Sequence, residues 1–198
     1  VDYCGVFIHP ESEDIRHWTV PIETTIRNDS FEERHVRLVS KVCDYAGNTI
    51  LEEVTERALP KREKQTIFQK GAAEDPKLWS IENPALYQLK TQIWEGETQI
   101  DEVITVFGFR KILFDTEKGF FLNGVPTKIK GMCIHEDHGG LGVALPDNIK
   151  EYRVRRLKEM GCNGYRFSHN PHSRQTLDAC DRLGMLVMDE NRWFESSQ

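Results

Sequence analysis

The hydrophobic pattern changes period once, near Gly108, and that change limits the possible folds more than any single residue does. Up to that point apolar residues recur at every second position. In Val20-Pro-Ile-Glu-Thr-Thr-Ile26 the side chains of Val20, Ile22, Thr24 and Ile26 fall on one face of a strand, while Glu23, Thr25 and Arg27 fall on the other, because successive Cβ atoms of a strand point to opposite sides. The same alternation returns in Tyr87 to Ile93 and around Val36, Leu38 and Val42. Turn-forming residues separate the runs at Asn28-Asp29-Ser30 and Ala46-Gly47-Asn48. Several short half-buried strands with no helical period among them predict a β-sandwich over residues 1–107.

Beyond Gly108 strands alternate with helices. Asn123-Gly124 lies between Phe120-Phe121-Leu122 and Val125 to Lys130, and Asn-Gly supplies the positive φ angles of a tight hairpin turn. Thr127 to Ile134 then reads as a strand. Pro146-Asp147 opens a helix to Met160, with Ile149, Tyr152, Leu157 and Met160 as its apolar stripe and Gly161 as its stop. Asn163 to Phe167 reads as a second strand. Ser173 to Leu183 reads as a helix with Leu177, Cys180 and Leu183 on one side, and Met185 to Met188 as a third strand. This order predicts βαβ units on a parallel sheet over residues 108–198, buried on both faces. Only two helices follow three strands, so this half is expected to open a larger array.

Composition excludes some functions. Among 198 residues, 26 Lys+Arg stand against 32 Asp+Glu, a formal charge of −6, and the densest basic runs are Lys61-Arg62 and Arg153-Arg155-Arg156. Binding driven by nucleic-acid phosphates is not expected. No run approaches the roughly 20 apolar residues of a membrane span, and VDYCGVFIHP lacks a signal-peptide layout. A soluble chain of the cytoplasm or periplasm is expected. The five cysteines (Cys4, Cys43, Cys133, Cys162, Cys180) never form a C-x-x-C pair, so neither a zinc knuckle nor a disulfide framework is predicted, and most are expected to be small buried residues.

Sites on parallel sheets form beyond the C-terminal ends of the strands. All three predicted ends are rich in functional groups: Ile134-His135-Glu136-Asp137-His138, Arg166-Phe167-Ser168-His169-Asn170 and Asp189-Glu190-Asn191-Arg192. Each residue has a structural alternative. His135 could be a satisfied structural histidine, Arg166 an ion-pair partner of Asp189 or Glu190, and Asp189-Glu190 a loop cap. The histidine pairs 135/138 and 169/172 also allow a metal-dependent hydrolase, although spacing by three suits a helix better than a strand end. Trp18, Trp79 and Trp94 read as core or interface, and Trp193 as the aromatic placed to meet a ligand.

The segments LWSIENPALYQL, VFGFRKI, FFLNGVPTKIKGMCIHED, RLKEMGCNGYRFSHNP and LDACDRLGMLVMDE occur in order from about residue 78 to residue 191. Together they resemble the glycoside hydrolases of the β-galactosidase, β-glucuronidase and β-mannosidase group, family 2. The resemblance implies an immunoglobulin-like sandwich followed by the first three strands of a (β/α)₈ TIM barrel, within a retaining glycosidase. In that chemistry a carboxylic acid protonates the glycosidic oxygen, and a carboxylate about 5 Å away attacks the anomeric carbon. In the family those glutamates follow the fourth and seventh strands, so the resemblance assigns no catalytic residue here and implies that this chain alone is inactive.

The resemblance does imply substrate holding: His135 and His169 as sugar-hydroxyl contacts, Arg166 as a buried group orienting a carboxylate, and Asn170 and Glu190 on the same rim. Magnesium-binding members carry Glu and His after the third strand, where this chain has Arg192-Trp193-Phe194-Glu195-Ser196. No cofactor is therefore expected. The run His135-Glu-Asp-His-Gly-Gly-Leu-Gly142 is most similar to β-galactosidases, which implies a β-galactoside substrate. A β-glucuronidase, a β-mannosidase and a non-catalytic carbohydrate-binding or structural module remain as alternatives. Open sheet edges predict a homo-oligomer.

Overall fold

The computed structural model describes residues 1–191; the expectations for Arg192, Trp193, Phe194, Glu195 and Ser196 lie outside the described residues. The chain divides into two compact units, Val1–Leu78 with Ala85–Lys111, and Trp79–Pro84 with Ile112 onward.

The first unit contains β1 (Val6–Ile8), β2 (His17–Arg27), β3 (Arg34–Cys43), β4 (Thr49–Leu59), β5 (Lys64–Glu74), β6 (Tyr87–Glu95) and β7 (Thr98–Phe107). They form two sheets in the orders β1-β2-β5 and β4-β3-β6-β7, with every pairing antiparallel. The expected alternation is present: Trp18, Val20, Ile22, Thr24 and Ile26 of β2 are all buried. Side chains from both sheets pack into shared clusters, which makes this a sandwich. One cluster joins Trp18, Val20 and Ile22 to Val42, Tyr87, Leu89, Phe107 and Phe109; the other joins Ile26 and Ile67 to Val36, Leu38, Leu59 and Ile93. Burying each large apolar side chain contributes about 1.5–3 kcal/mol. Phe109 organises the first cluster, meeting Trp18 at 5.4 Å, Tyr87 at 4.9 Å and Phe107 at 5.3 Å, all edge-on.

Between the two apolar clusters the inward positions are polar. Thr24 separates Ile22 from Ile26, Ser40 separates Leu38 from Val42, and Thr91 separates Leu89 from Ile93. Ser40 and Thr91 are register partners on adjacent strands. All three hydroxyls are fully buried and have no protein hydrogen-bond partner. Buried hydroxyls of this kind cost stability.

The second unit opens with an antiparallel meander, β8 (Ile112–Asp115), β9 (Gly119–Leu122) and β10 (Val125–Pro126). Asn123 and Gly124 form its turn with φ of 52° and 78°, as Asn-Gly predicts. The next strand is shorter than expected: β11 covers only Gly131–Ile134. It is followed by α1 (Asp147–Glu159), β12 (Gly164–Phe167), α2 (Arg174–Leu183) and β13 (Leu186–Met188). Strands β11, β12 and β13 pair in parallel in that order.

Both helices cover the same face of the sheet. Val154 and Leu157 of α1 and Ala179 and Cys180 of α2 pack with Tyr165 and Phe167 of β12, and Ile134 and Val187 join from the neighbouring strands. The opposite face carries Cys133, Arg166 and Met188, aligned in register. It borders a groove of about 340 Å³ that Ile112, Phe114 and Phe120 also line. Burial on both faces, expected from the apolar runs, is thus found on the helix side only.

Two further expectations are corrected here. The buried stripe of α1 runs through Val154 and Leu157, while Tyr152 and Met160 are exposed at 48% and 68%. Of the cysteines, only Cys43 and Cys180 are buried; Cys4 and Cys133 are exposed.

Residues 79–84 lie between β5 and β6 in sequence and belong to the second unit. The buried Trp79 indole donates to the Asp181 carbonyl at 2.8 Å, and the Asn123 amide donates to the Trp79 carbonyl at 3.0 Å. Lys158 Nζ donates to the carbonyls of Ile81 (2.8 Å), Leu183 and Gly184 (3.3 Å). An ammonium is well placed there, because the C-terminus of α2 presents carbonyls without helical partners. Gly184 ends α2 at φ 70°, and a Cβ on it would lie 2.2 Å from the Ile81 carbonyl oxygen. Glycine is required at this position both for the left-handed backbone and for the close approach.

Candidate functional site

Parallel pairing brings the ends of β11, β12 and β13 to one edge, where Arg166, His169 and Glu190 meet with His135 beside them. Arg166 leaves the face of β12 opposite the helices and reaches across to Glu190, just past β13, contacting its Oε1 through Nη2. The His169 Nδ1 lies 3.0 Å from Glu190 Oε2. The two oxygens of one carboxylate are thus engaged by different side chains. Burial pulls the Glu190 carboxyl upward, but the hydrogen bond from His169 and the charge of Arg166 outweigh it and hold the group below the usual glutamate range. Of the two ion-pair partners suggested for Arg166, Glu190 is the one used. Asp189 instead accepts the Glu190 backbone N–H at 3.0 Å.

The His135 and His169 rings meet edge-to-face with centroids 5.4 Å apart. His135 is held through its backbone: Arg153 of α1 donates to the carbonyls of His135 (3.2 Å) and Asp137. Glu136 points the other way, its Oε1 accepting the Ser173 N–H at 2.8 Å at the start of α2. The following His138 to Gly142 forms a tight reversal, with Leu141 and Gly142 both donating to the His138 carbonyl.

Arg166 was expected to be buried, yet its side chain is 39% exposed. The helices cover the Tyr165 and Phe167 side, and alternation along the strand sends Arg166 to the open one. Its Nη1 donates to Cys133 Sγ at 3.2 Å. Asn170 does not join the cluster: its amide donates to the adjacent Pro171 carbonyl at 2.9 Å. The Ser168–His169 peptide is cis.

Arg153, Cys133 and His172 escaped the sequence reading as contributors to this edge. Arg153 sits in a basic helical run that resembles any solvated face. Cys133 becomes a partner of Arg166 only through the parallel register. His172 is 7% exposed, and in the sequence it stands out only as half of the 169/172 histidine pair. Among the described residues no group of three or more His, Cys, Asp or Glu is placed to hold a metal ion.

The edge therefore offers an ionised carboxylate, a guanidinium and two imidazoles on an open rim. This suits hydrogen bonding to several hydroxyl groups, which both donate and accept.

The chain is similar to known proteins over nearly its whole length. Residues 4–110 match the pattern of glycosyl hydrolases family 2, and residues 115–196 match the TIM barrel domain of that family. The β-galactosidase BoGH2A of Bacteroides ovatus is 37% identical over 186 residues, covering 94% of this chain and 22% of the relative. A family 2 member from Bacteroides cellulosilyticus superposes with a TM-score of 0.90 at 36% identity, over 94% of this chain and 26% of that structure. The Bacteroides uniformis β-glucuronidase 2, solved covalently bound to cyclophellitol-6-carboxylate aziridine, gives a TM-score of 0.90 at 31% identity, over 94% of this chain and 23% of that structure. The chain spans about a quarter or less of the length of these proteins. Sandwich, parallel strands and sequence matches together show that the chain belongs to glycosyl hydrolases family 2, covering a sandwich domain and the start of the TIM barrel domain.

Proposed function

We propose that this chain supplies one wall of the substrate site of a retaining exo-β-glycosidase acting on terminal β-galactosides. The observation that carries the reading is the Arg166–Glu190–His169 clamp at adjoining parallel strand ends, with His135 beside it. Its role is to hold sugar hydroxyls rather than to react. A general acid needs a raised pKa, whereas that of Glu190 is lowered, and both of its oxygens are already engaged. His135, Arg166 and His169 form the binding edge with Glu190 at its centre, and Asn170 is the weakest member because its amide is turned onto its own chain.

A β-glucuronide is the second reading, favoured by the likeness to the Bacteroides uniformis β-glucuronidase. The neutral galactoside is favoured here by the likeness to the β-galactosidase BoGH2A, 37% identical over 94% of this chain. Among the described residues no helix is long and apolar enough to cross a membrane.

The test is turnover of aryl β-galactoside and aryl β-glucuronide by a protein containing this chain with the complete barrel, compared with the 198-residue chain. Galactoside hydrolysis by the longer protein alone is expected, with Arg166→Ala raising KM. Hydrolysis by the 198-residue chain that Glu190→Gln abolishes would overturn the assignment of roles.

A further inference from the structure

His172 lies beneath the clamp and takes no part in it. Its ring stacks on Phe167 with centroids 3.9 Å apart and planes 5° from parallel, and Tyr165 meets it edge-on at 5.6 Å. Neither ring nitrogen reaches a protein partner at full hydrogen-bond geometry, although the Ser168 backbone lies close enough to the ring to favour its charged form, and the Ser168 hydroxyl, which is 1% exposed, has no partner in the protein. Tyr165, Phe167 and His172 thus form an aromatic ladder on the covered side of β12, while Arg166 and His169 project from the same five residues onto the open side. The strand end is held by one backbone hydrogen bond beyond the ladder, Ser168 N–H to the Ile134 carbonyl at 3.2 Å.

We propose that His172 is a positioning residue: as a neutral ring locked on Phe167 it fixes the end of β12, and so sets Arg166 and His169 against Glu190, and charging the ring releases that end. Its relevance to sugar binding rests on the function proposed above; the mechanical role does not. The groups bearing on the ring are Glu136 after β11, Asp189 after β13 and Arg153 on α1, with Tyr165 from its own strand. Burial dominates and holds the imidazole below its ordinary range, against the opposing pull of Glu136, Asp189 and the Ser168 backbone. A histidine whose folded pKa is depressed binds fewer protons folded than open. The clamped state is therefore fully favoured above the ordinary value of about 6.5, and the advantage declines as pH falls below it toward the depressed value.

Hydrogen exchange of the 198-residue chain, corrected for the intrinsic pH dependence of exchange, tests this. Between pH 6.5 and the depressed pKa, protection of the Phe167 and Ser168 amides should fall by about tenfold per pH unit in the wild type. In His172→Phe, which keeps the stack and cannot titrate, protection should stay flat over that range. Parallel decline in both proteins, or no decline in either, would overturn the proposal. If His172→Phe does not fold, ¹⁵N titration of the wild-type ring decides instead: titration near 6.5 with protection unchanged overturns it, and titration below 6.5 together with loss of protection upholds it. Failure of the longer protein to hydrolyse galactosides would leave these outcomes unaffected, so the two readings fail separately.

Discussion

Replacing Lys158 with methionine tests how the second unit keeps residues 79–84. The substitution preserves most of the side-chain volume and removes three charge-assisted hydrogen bonds, to the carbonyls of Ile81, Leu183 and Gly184. A hydrogen bond to a charged group is worth about 1.5–3 kcal/mol. The three share one ammonium and one site, so their losses do not add, and water can reach part of it. Burial already holds the Lys158 pKa below its ordinary value, so some of the gain is spent on desolvation. The expected net loss is about 2–4 kcal/mol, or about 8–20 °C in midpoint for a unit of this size. Thermal unfolding with hydrogen exchange on separate peptides locates the effect. Exchange in residues 79–84 and α2 should rise by roughly 30- to 700-fold, the equivalent of that energy at 1.4 kcal/mol per decade, with β2 unaffected. A loss below about 1 kcal/mol, as for an exposed ion pair, would refute the role given to this lysine.

Two further outcomes follow from burial. Thr24→Val removes a fully buried hydroxyl that has no protein partner and should stabilise the sandwich by about 1 kcal/mol in urea unfolding; a destabilisation would mean that a bound water satisfies the hydroxyl. In native protein an aromatic disulfide reagent should label the exposed Cys4 and Cys133 quickly. Cys43 and Cys180 should react only after unfolding, Cys180 the more so because burial pushes its thiol up to about 12. Rapid native-state labelling of Cys180 would contradict the packing of α2.

The parts of the fold legible in sequence are those that neighbouring residues decide. Alternation placed Val20, Ile22, Thr24 and Ile26 on the inner face of β2, Asn123-Gly124 set the hairpin turn, and Gly161 marks a helix end at φ 87°. The stripe of α1 was misread because an apolar side chain is not buried until something covers it: Tyr152 and Met160 have the right chemistry and face away from the sheet, whereas Val154 and Leu157 face Tyr165 and Phe167. Of the candidate site, the three polar strand ends were visible as a set, and the resemblance of their motifs to family 2 gave them roles. Which of them touch was not visible. Asp189 and Glu190 are neighbours in the chain with the same chemistry, and only the path of β13 brings Glu190 to Arg166 and His169.

The sequence by itself determined the two periods and hence a β-sandwich followed by βα units, the turns, the family, and which strand ends carry functional groups, because dihedral preference, alternation and residue type are properties of short stretches. Only the tertiary structure decided that one carboxylate is held by two side chains from the end of a neighbouring strand, that Lys158 gathers carbonyls from Ile81 and from Leu183 and Gly184, 77 and about 25 residues away in the chain, and that His172 is buried against Phe167 on the covered side of β12. Hydrogen bonds and burial depend on distance in space, and packing sets those distances between residues that the chain keeps far apart.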